Sequence, residues 1–271
     1  MTDAWELTRG NSPIVAVAVH DGHWIRPELL GKVALGERDR LREEDPFTAR
    51  WLGLSDTRIR VRRSRFEVDL NRPRAGAVYR TPSDAWGLSV WREALTPAEL
   101  RASLAIYDAF YAALGELLTD VCQRHGGFVV YDLHSYNHRR GGPGGPAALQ
   151  ELTPEINVGT GSLDRSRWGH VAEGFIDRLR RYPFRGRHLD VRENVNFRGG
   201  ELSRWVHRNF GESGCALAIE VKKFFMDEWT GEVDEALLAE VGAALASTTT
   251  HVLHLLSPRR GRVAAARTGS A

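Results

Sequence analysis

Ile14-Val15-Ala16-Val17-Ala18-Val19-His20 is the stretch on which the fold turns. A β-branched run with no polar face is the pattern of a strand buried on both sides, as in largely parallel sheets covered by helices. The run stops at a histidine. Two more runs have this character. Phe128-Val129-Val130-Tyr131-Asp132-Leu133 finishes at His134, and Cys215-Ala216-Leu217-Ala218-Ile219-Glu220-Val221 carries a carboxylate near its end. A helix is predicted ahead of the second run. Thr96-Pro97-Ala98-Glu99 reads as a capping box with proline at the first helical position, and Leu100, Leu104, Tyr107, Tyr111, Leu114 and Leu118 recur at helical spacing until Gly126-Gly127.

Working outward, Trp168 to Leu179 and Leu202 to Phe210 predict two amphipathic helices, and Leu237 to Val252 predict one closing helix. Arg58-Ile59-Arg60-Val61-Arg62-Arg63 alternates arginine with aliphatics and predicts an edge strand leading into a loop at Phe66 to Leu70. Arg140-Gly141-Gly142-Pro143-Gly144-Gly145-Pro146 holds neither helix nor sheet geometry. It reads equally as a lid or as a surface excursion. The expected architecture is a single-domain, three-layer α/β/α fold with a mixed, largely parallel central sheet over residues 1–256. A basic, unpacked tail is expected at 257–271, with Arg259, Arg260, Arg262 and Arg267.

Composition agrees with a packed enzyme-sized domain. The 271 residues are 42% hydrophobic and 27% charged, outside the range of disordered or collagenous chains. A net charge of +2 creates no broad field for nucleic acid or a membrane, so neither is an expected partner; only the tail permits a weak nucleic-acid reading. The longest purely apolar run, Ile14 to Val19, is too short to span a bilayer. Cys122 and Cys215 are the only cysteines and read as buried thiols of a reducing compartment. A soluble cytoplasmic protein is expected.

The chemistry lies at the strand ends. In open α/β sheets the site sits outside the carboxyl ends of the strands, so His20, His134 and Glu220 can converge although distant in sequence. Each alone is more often a satisfied structural group. Two histidines and a carboxylate with an open fourth position form the ligand set of a catalytic Zn²⁺. Acids also occur at Glu43-Glu44-Asp45, where Pro46 favours an extended exit; the plainer reading of this triplet is a solvated charge run. Arg63 to Arg72 sets guanidiniums among acids, either as a carboxylate clamp or as an ion ladder of small value.

In order and separation, several blocks resemble the N-formylglutamate amidohydrolase family, which is similar in fold and site to zinc carboxypeptidases and aspartoacylase-like deacylases. They are His20-Asp21-Gly22, Ser64-Arg65 leading to Asp69-Leu70-Asn71-Arg72, Gly87-Leu88-Ser89-Val90-Trp91, Asp132-Leu133-His134-Ser135, Asn194-Val195-Asn196-Phe197-Arg198-Gly199-Gly200, and Ile219-Glu220-Val221 running on to Phe225-Met226-Asp227-Glu228. The resemblance implies one Zn²⁺ held by His20, His134 and Asp45, with Glu44 and His23 as reserves. It implies Glu220 as general base, Arg65 polarising the scissile carbonyl, Arg72 holding a substrate carboxylate, and Asn71 and Ser135 contacting substrate. The implied substrate is a small N-formyl or N-acyl amino acid such as N-formylglutamate.

The chain departs from the family pattern at Val19-His20-Asp21-Gly22, where Pro-His-Ser-Gly is usual, and at Asp45-Pro46, where tryptophan often follows the aspartate. At Val221-Lys222-Lys223 an asparagine-arginine pair is common, so a changed side-chain specificity is expected. The rival readings are a carboxypeptidase-like peptidase or N-acyl amino acid deacylase on the same scaffold, and a catalytically degenerate ligand-binding domain.

Overall fold

A computed structural model describes residues 4–256. At its centre is a seven-stranded sheet in the order β1 (Trp5–Thr8), β3 (Thr57–Val61), β2 (Ile14–Ala18), β4 (Phe128–Tyr136), β7 (Gly214–Lys222), β5 (Ile156–Gly159) and β6 (Val191–Glu193). Strands β3, β2, β4 and β7 run parallel; β1 and β5 pair antiparallel to their neighbours β3 and β7, and β6 follows β5 in parallel. Every residue of β2, β4 and β7 is buried, which is why these strands read as unbroken apolar runs.

Alternate side chains serve opposite faces. Val15, Val17, Val130 and Ala216 pack beneath α3 (Pro97–His125) and α5 (Glu201–Phe210). Ala16, Val129, Tyr131 and Leu217 pack beneath α4 (Arg165–Arg180), α6 (Glu235–Ala246) and α7 (Thr249–Leu256). Two short helices, α1 (Pro27–Leu30) and α2 (Glu37–Glu43), lie in the connection from β2 to β3. The three-layer α/β/α architecture expected from the sequence is therefore the observed one. The predicted capping box is present, with the Thr96 hydroxyl accepting from Glu99 N and the Glu99 carboxylate accepting from Thr96 N. Gly126, at φ +76°, ends α3 in the left-handed conformation that glycine adopts without a Cβ penalty.

Three expectations need correction. The arginine-rich strand is not the edge: β3 lies between β1 and β2, and the edge is the four-residue β1, too short to read from alternation. The outward arginines of β3 and its extension are drawn onto acids instead, Arg60 to Asp21 and Arg62 to Glu6. His134 does not follow its strand but lies inside β4, which continues to Tyr136. The closing helix is two helices, because Ser247 caps α6 and the Thr248 hydroxyl turns back to the Leu245 carbonyl. The span Glu235–Leu256 is apolar and long enough to cross a membrane by composition, but Leu238, Val241, Leu245 and Val252 are buried in the core. The predicted tail at 257–271 lies outside the described residues.

Candidate active site

Because β2, β4 and β7 are adjacent and parallel, their carboxyl ends meet at one edge of the sheet. His20 lies two residues past the end of β2, and His134 and Glu220 are register partners on β4 and β7. The fourth group, Asp45, comes from the exit of α2. Glu44 is extended there, and Asp45 N donates to His20 O at 3.0 Å, which ties this turn to the end of β2. Phe47, two residues on, has φ +71°, an uncommon conformation for a side-chain-bearing residue and evidence that the turn is forced.

The His134 Nδ1 lies 2.8 Å from Asp45 Oδ2 and the His20 Nδ1 lies 3.3 Å from the same oxygen. The opposite nitrogens are also engaged: His20 Nε2 with Asp69 Oδ1 at 2.7 Å, His134 Nε2 with Asp132 Oδ1 at 2.8 Å. Each imidazole thus faces a carboxylate at both nitrogens. A neutral ring has one N–H, so one contact would set lone pair against lone pair; a second proton or a cation removes the conflict. Burial opposes charge on Asp45, yet the hydrogen bonds from His134 and His20 hold it far below the ordinary carboxylate range. Burial likewise opposes a charged His134, but Asp132 and Glu220 raise it well above the usual histidine value.

This arrangement fits a metal ion. Ligand atoms of His20, Asp45 and His134 lie within 4.8 Å of one another, all buried. The Asp69 and Asp132 contacts are those that orient metal-binding histidines from behind. Asp45, Asp69, Asp132 and Glu220 are buried together, with Arg65 and Arg72 against Asp69 and Lys223 on the same cavity wall, so a divalent ion also suits the charge balance. The reserve ligands turn elsewhere: Glu44 accepts from Ser64 Oγ and pairs with His23 Nδ1 at 2.6 Å.

Glu220 lines a cavity of about 300 Å³ together with His20, Asp45, His134, Arg65, Asn71 and Ser135. Burial, reinforced by the charges of Asp45 and Asp132 and countered by both histidines, raises Glu220 to about 7. Arg65 donates to Asp69 Oδ2 at 2.9 Å and lies over the Trp86 ring. Arg72 is not on the cavity wall; its guanidinium rests over Tyr79 and Trp86, 3.6 Å from Asp69, whereas Arg198 and Arg140 do line the cavity.

The lysine pair divides. Lys222 Nζ points away to Gln150 and Thr153, while Lys223 is buried on the cavity wall and donates to the carbonyls of Arg42 and Glu44, just ahead of Asp45. Sequence reasoning gave no individual role to Asp69, Asp132 or Trp86, and Lys223 entered only with Lys222 as a departure from the family pattern. Asp132 carries a usable signal, since spacing of two in a strand puts it on the face of His134.

Asn71 is held by a close approach. Its Oδ1 accepts from Leu202 N at 2.9 Å at the start of α5, and a Cβ added at Gly200 would stand 2.2 Å from that oxygen. Gly200→Ala is expected to displace Asn71, cost about 1–3 kcal/mol of stability and lower kcat/KM at least about tenfold, roughly one lost orienting hydrogen bond. A thermal melt beside steady-state kinetics checks both effects.

The family model for N-formylglutamate amidohydrolase matches residues 12–226. Among solved structures, an N-formylglutamate amidohydrolase from Ralstonia eutropha JMP134 aligns over 94% of this chain and 98% of its own, with TM-score 0.72 and 17% identity. A gene product of Agrobacterium tumefaciens aligns over 93% and 96%, with TM-score 0.65 and 19% identity. At these identities the structural likeness speaks for the fold. No curated protein matches the sequence significantly. The family match spans most of the chain and includes every residue of the site described above: this chain belongs to the N-formylglutamate amidohydrolase family.

Proposed function

We propose that the protein is a zinc-dependent hydrolase of the carbon–nitrogen bond in N-formyl or N-acyl amino acids. The observation that carries this reading is the convergence of the His20 and His134 Nδ1 atoms on Asp45, with the Glu220 carboxyl on the same cavity wall. His20, His134 and Asp45 would hold the ion, which when bound lowers the pKa of its water and polarises the substrate carbonyl. Glu220 takes the proton of the attacking water and passes it to the leaving amine nitrogen. Arg65, fixed by Asp69, Tyr79 and the Glu43 carbonyl, directs its guanidinium at the oxygen on which negative charge develops. Asn71 and Ser135 orient the substrate from the cavity wall.

Arg72 is assigned to the substrate carboxylate, because its long contact to Asp69 leaves donors available beside Trp86, a cavity wall. Arg198 is the competing cation. Arg72→Met is expected to raise KM at least about tenfold with kcat less affected, consistent with loss of a charged hydrogen bond. Kinetics of Arg198→Met beside it decides the assignment: a larger KM effect there transfers the role. A degenerate domain is disfavoured by the intact donor set. Metal analysis of purified protein with a panel of N-formyl and N-acyl amino acids tests the function, and absence of both metal and turnover overturns it. Free Cys122 and Cys215 support the proposed cytoplasmic setting.

A further inference from the structure

The cavity beside Glu220 does not end there. A second cavity of about 610 Å³ adjoins it and shares Tyr136, Asn137, Arg140, Asn196 and Phe197 as walls. Its outer lining comes from Pro146, Ala147, Ala148 and Leu149, and the Phe197 ring packs on Tyr136 at 5.2 Å. A formyl group, with two heavy atoms, leaves such a space unused.

Residues along the passage carry polar atoms without partners. Ser135 Oγ, Asn137 Oδ1 and His138 Nδ1 are buried and unpaired. Ser135 and Asn137 are 5% and 8% exposed, and both line the inner cavity; Asn137 and His138 line the outer one. Buried polar groups normally have a partner, so the unpaired atoms of Ser135 and Asn137, enclosed on residues that line the passage and brought to it by a side-chain rotation, mark where a ligand's polar groups belong. Charge sets the direction. Arg65, Arg198 and Lys223 line the inner cavity beside the acids Glu43, Asp45 and Glu220, whereas Arg140, at the shared rim, is the outer cavity's one Lys, Arg, Asp or Glu side chain. The charged amino-acid half of a substrate therefore belongs inside, and a neutral half belongs in the annex.

We infer that the substrate's acyl half is larger than formyl: an apolar group seated in the annex, joined to the scissile carbonyl through an amide-type unit that meets Ser135 and Asn137. An acylated aminoacyl group has this chemistry. The inference rests on the amidohydrolase reading and narrows its substrate class.

The test compares metal-loaded protein on N-formyl, N-acetyl, 3-phenylpropanoyl and N-acetylphenylalanyl derivatives of glutamate, phenylalanine and lysine. For the amino acid cleaved best, kcat/KM is expected to rise at least about tenfold from formyl to N-acetylphenylalanyl. 3-Phenylpropanoyl should fall behind the latter by about 3- to 10-fold, the worth of one hydrogen bond. Asn137→Ala should erase that second difference. Ala148→Trp, which fills the annex away from the chemistry, should remove the preference for the long acyl group while sparing the formyl substrate. Calorimetric binding of N-acetylphenylalanine, the released acid, should weaken in the same variant. Turnover confined to formyl, or a preference and binding unmoved by Ala148→Trp, overturns the inference and leaves the amidohydrolase reading standing. No turnover of any amide overturns both.

Discussion

Glu220→Gln is expected to keep metal at the parent stoichiometry and to lose about 10²- to 10⁴-fold in kcat, the range for removing a general base. The substitution is nearly isosteric. It removes the proton acceptor from the cavity wall and leaves the His20, His134 and Asp45 donors in place. A substrate KM close to the parent value would show that binding survives and that the loss lies in proton transfer. Full activity in this variant would remove Glu220 from the mechanism.

His134→Ala should have the opposite signature, with metal content falling first and activity as a consequence. His134 bridges Asp45 and Asp132, so its removal leaves two buried carboxylates facing an empty space. Breaking a buried charged pair typically costs about 3–5 kcal/mol. A matching result is expected without mutation. Chelation of the parent should lower the melting temperature, and Zn²⁺ should restore it, because a ligand that binds only the folded state stabilises by mass action. Retention of stoichiometric metal in His134→Ala, together with a melting temperature indifferent to chelator, would place the ion elsewhere.

The candidate site was legible at the points where strand physics is simplest. β2, β4 and β7 are buried on both faces, so they show as apolar runs, and a polar residue at the end of such a run stands out. That reading brought His20, His134 and Glu220 to one place. Asp45 depended on the family resemblance, since nothing in Glu43-Glu44-Asp45 distinguishes it from a solvated run. The structure distinguishes it through the bond from Asp45 N to His20 O and through Glu44 being taken up by Ser64 and His23. Strands β5 and β6 were illegible for a different reason. They have four and three residues, below the length at which periodicity separates strand from loop, and their geometry is set by partners. Asn157 shows this: its side-chain oxygen accepts from the backbone of Val195, Asn196 and Phe197, a long-range wall-building role without a local signature.

The reversal of β5 against β7 sets where this fold can be altered without rebuilding it. The chain leaves β4 and enters β5 at the same rim, so residues 137–155 form a roof that begins and ends above the reacting atoms. Lengthening or trimming that roof disturbs no helix that links parallel strands. On the proposed hydrolase reading, one substrate can therefore be exchanged for another by editing a single excursion, with the floor of His20, Asp45 and His134 beneath it untouched.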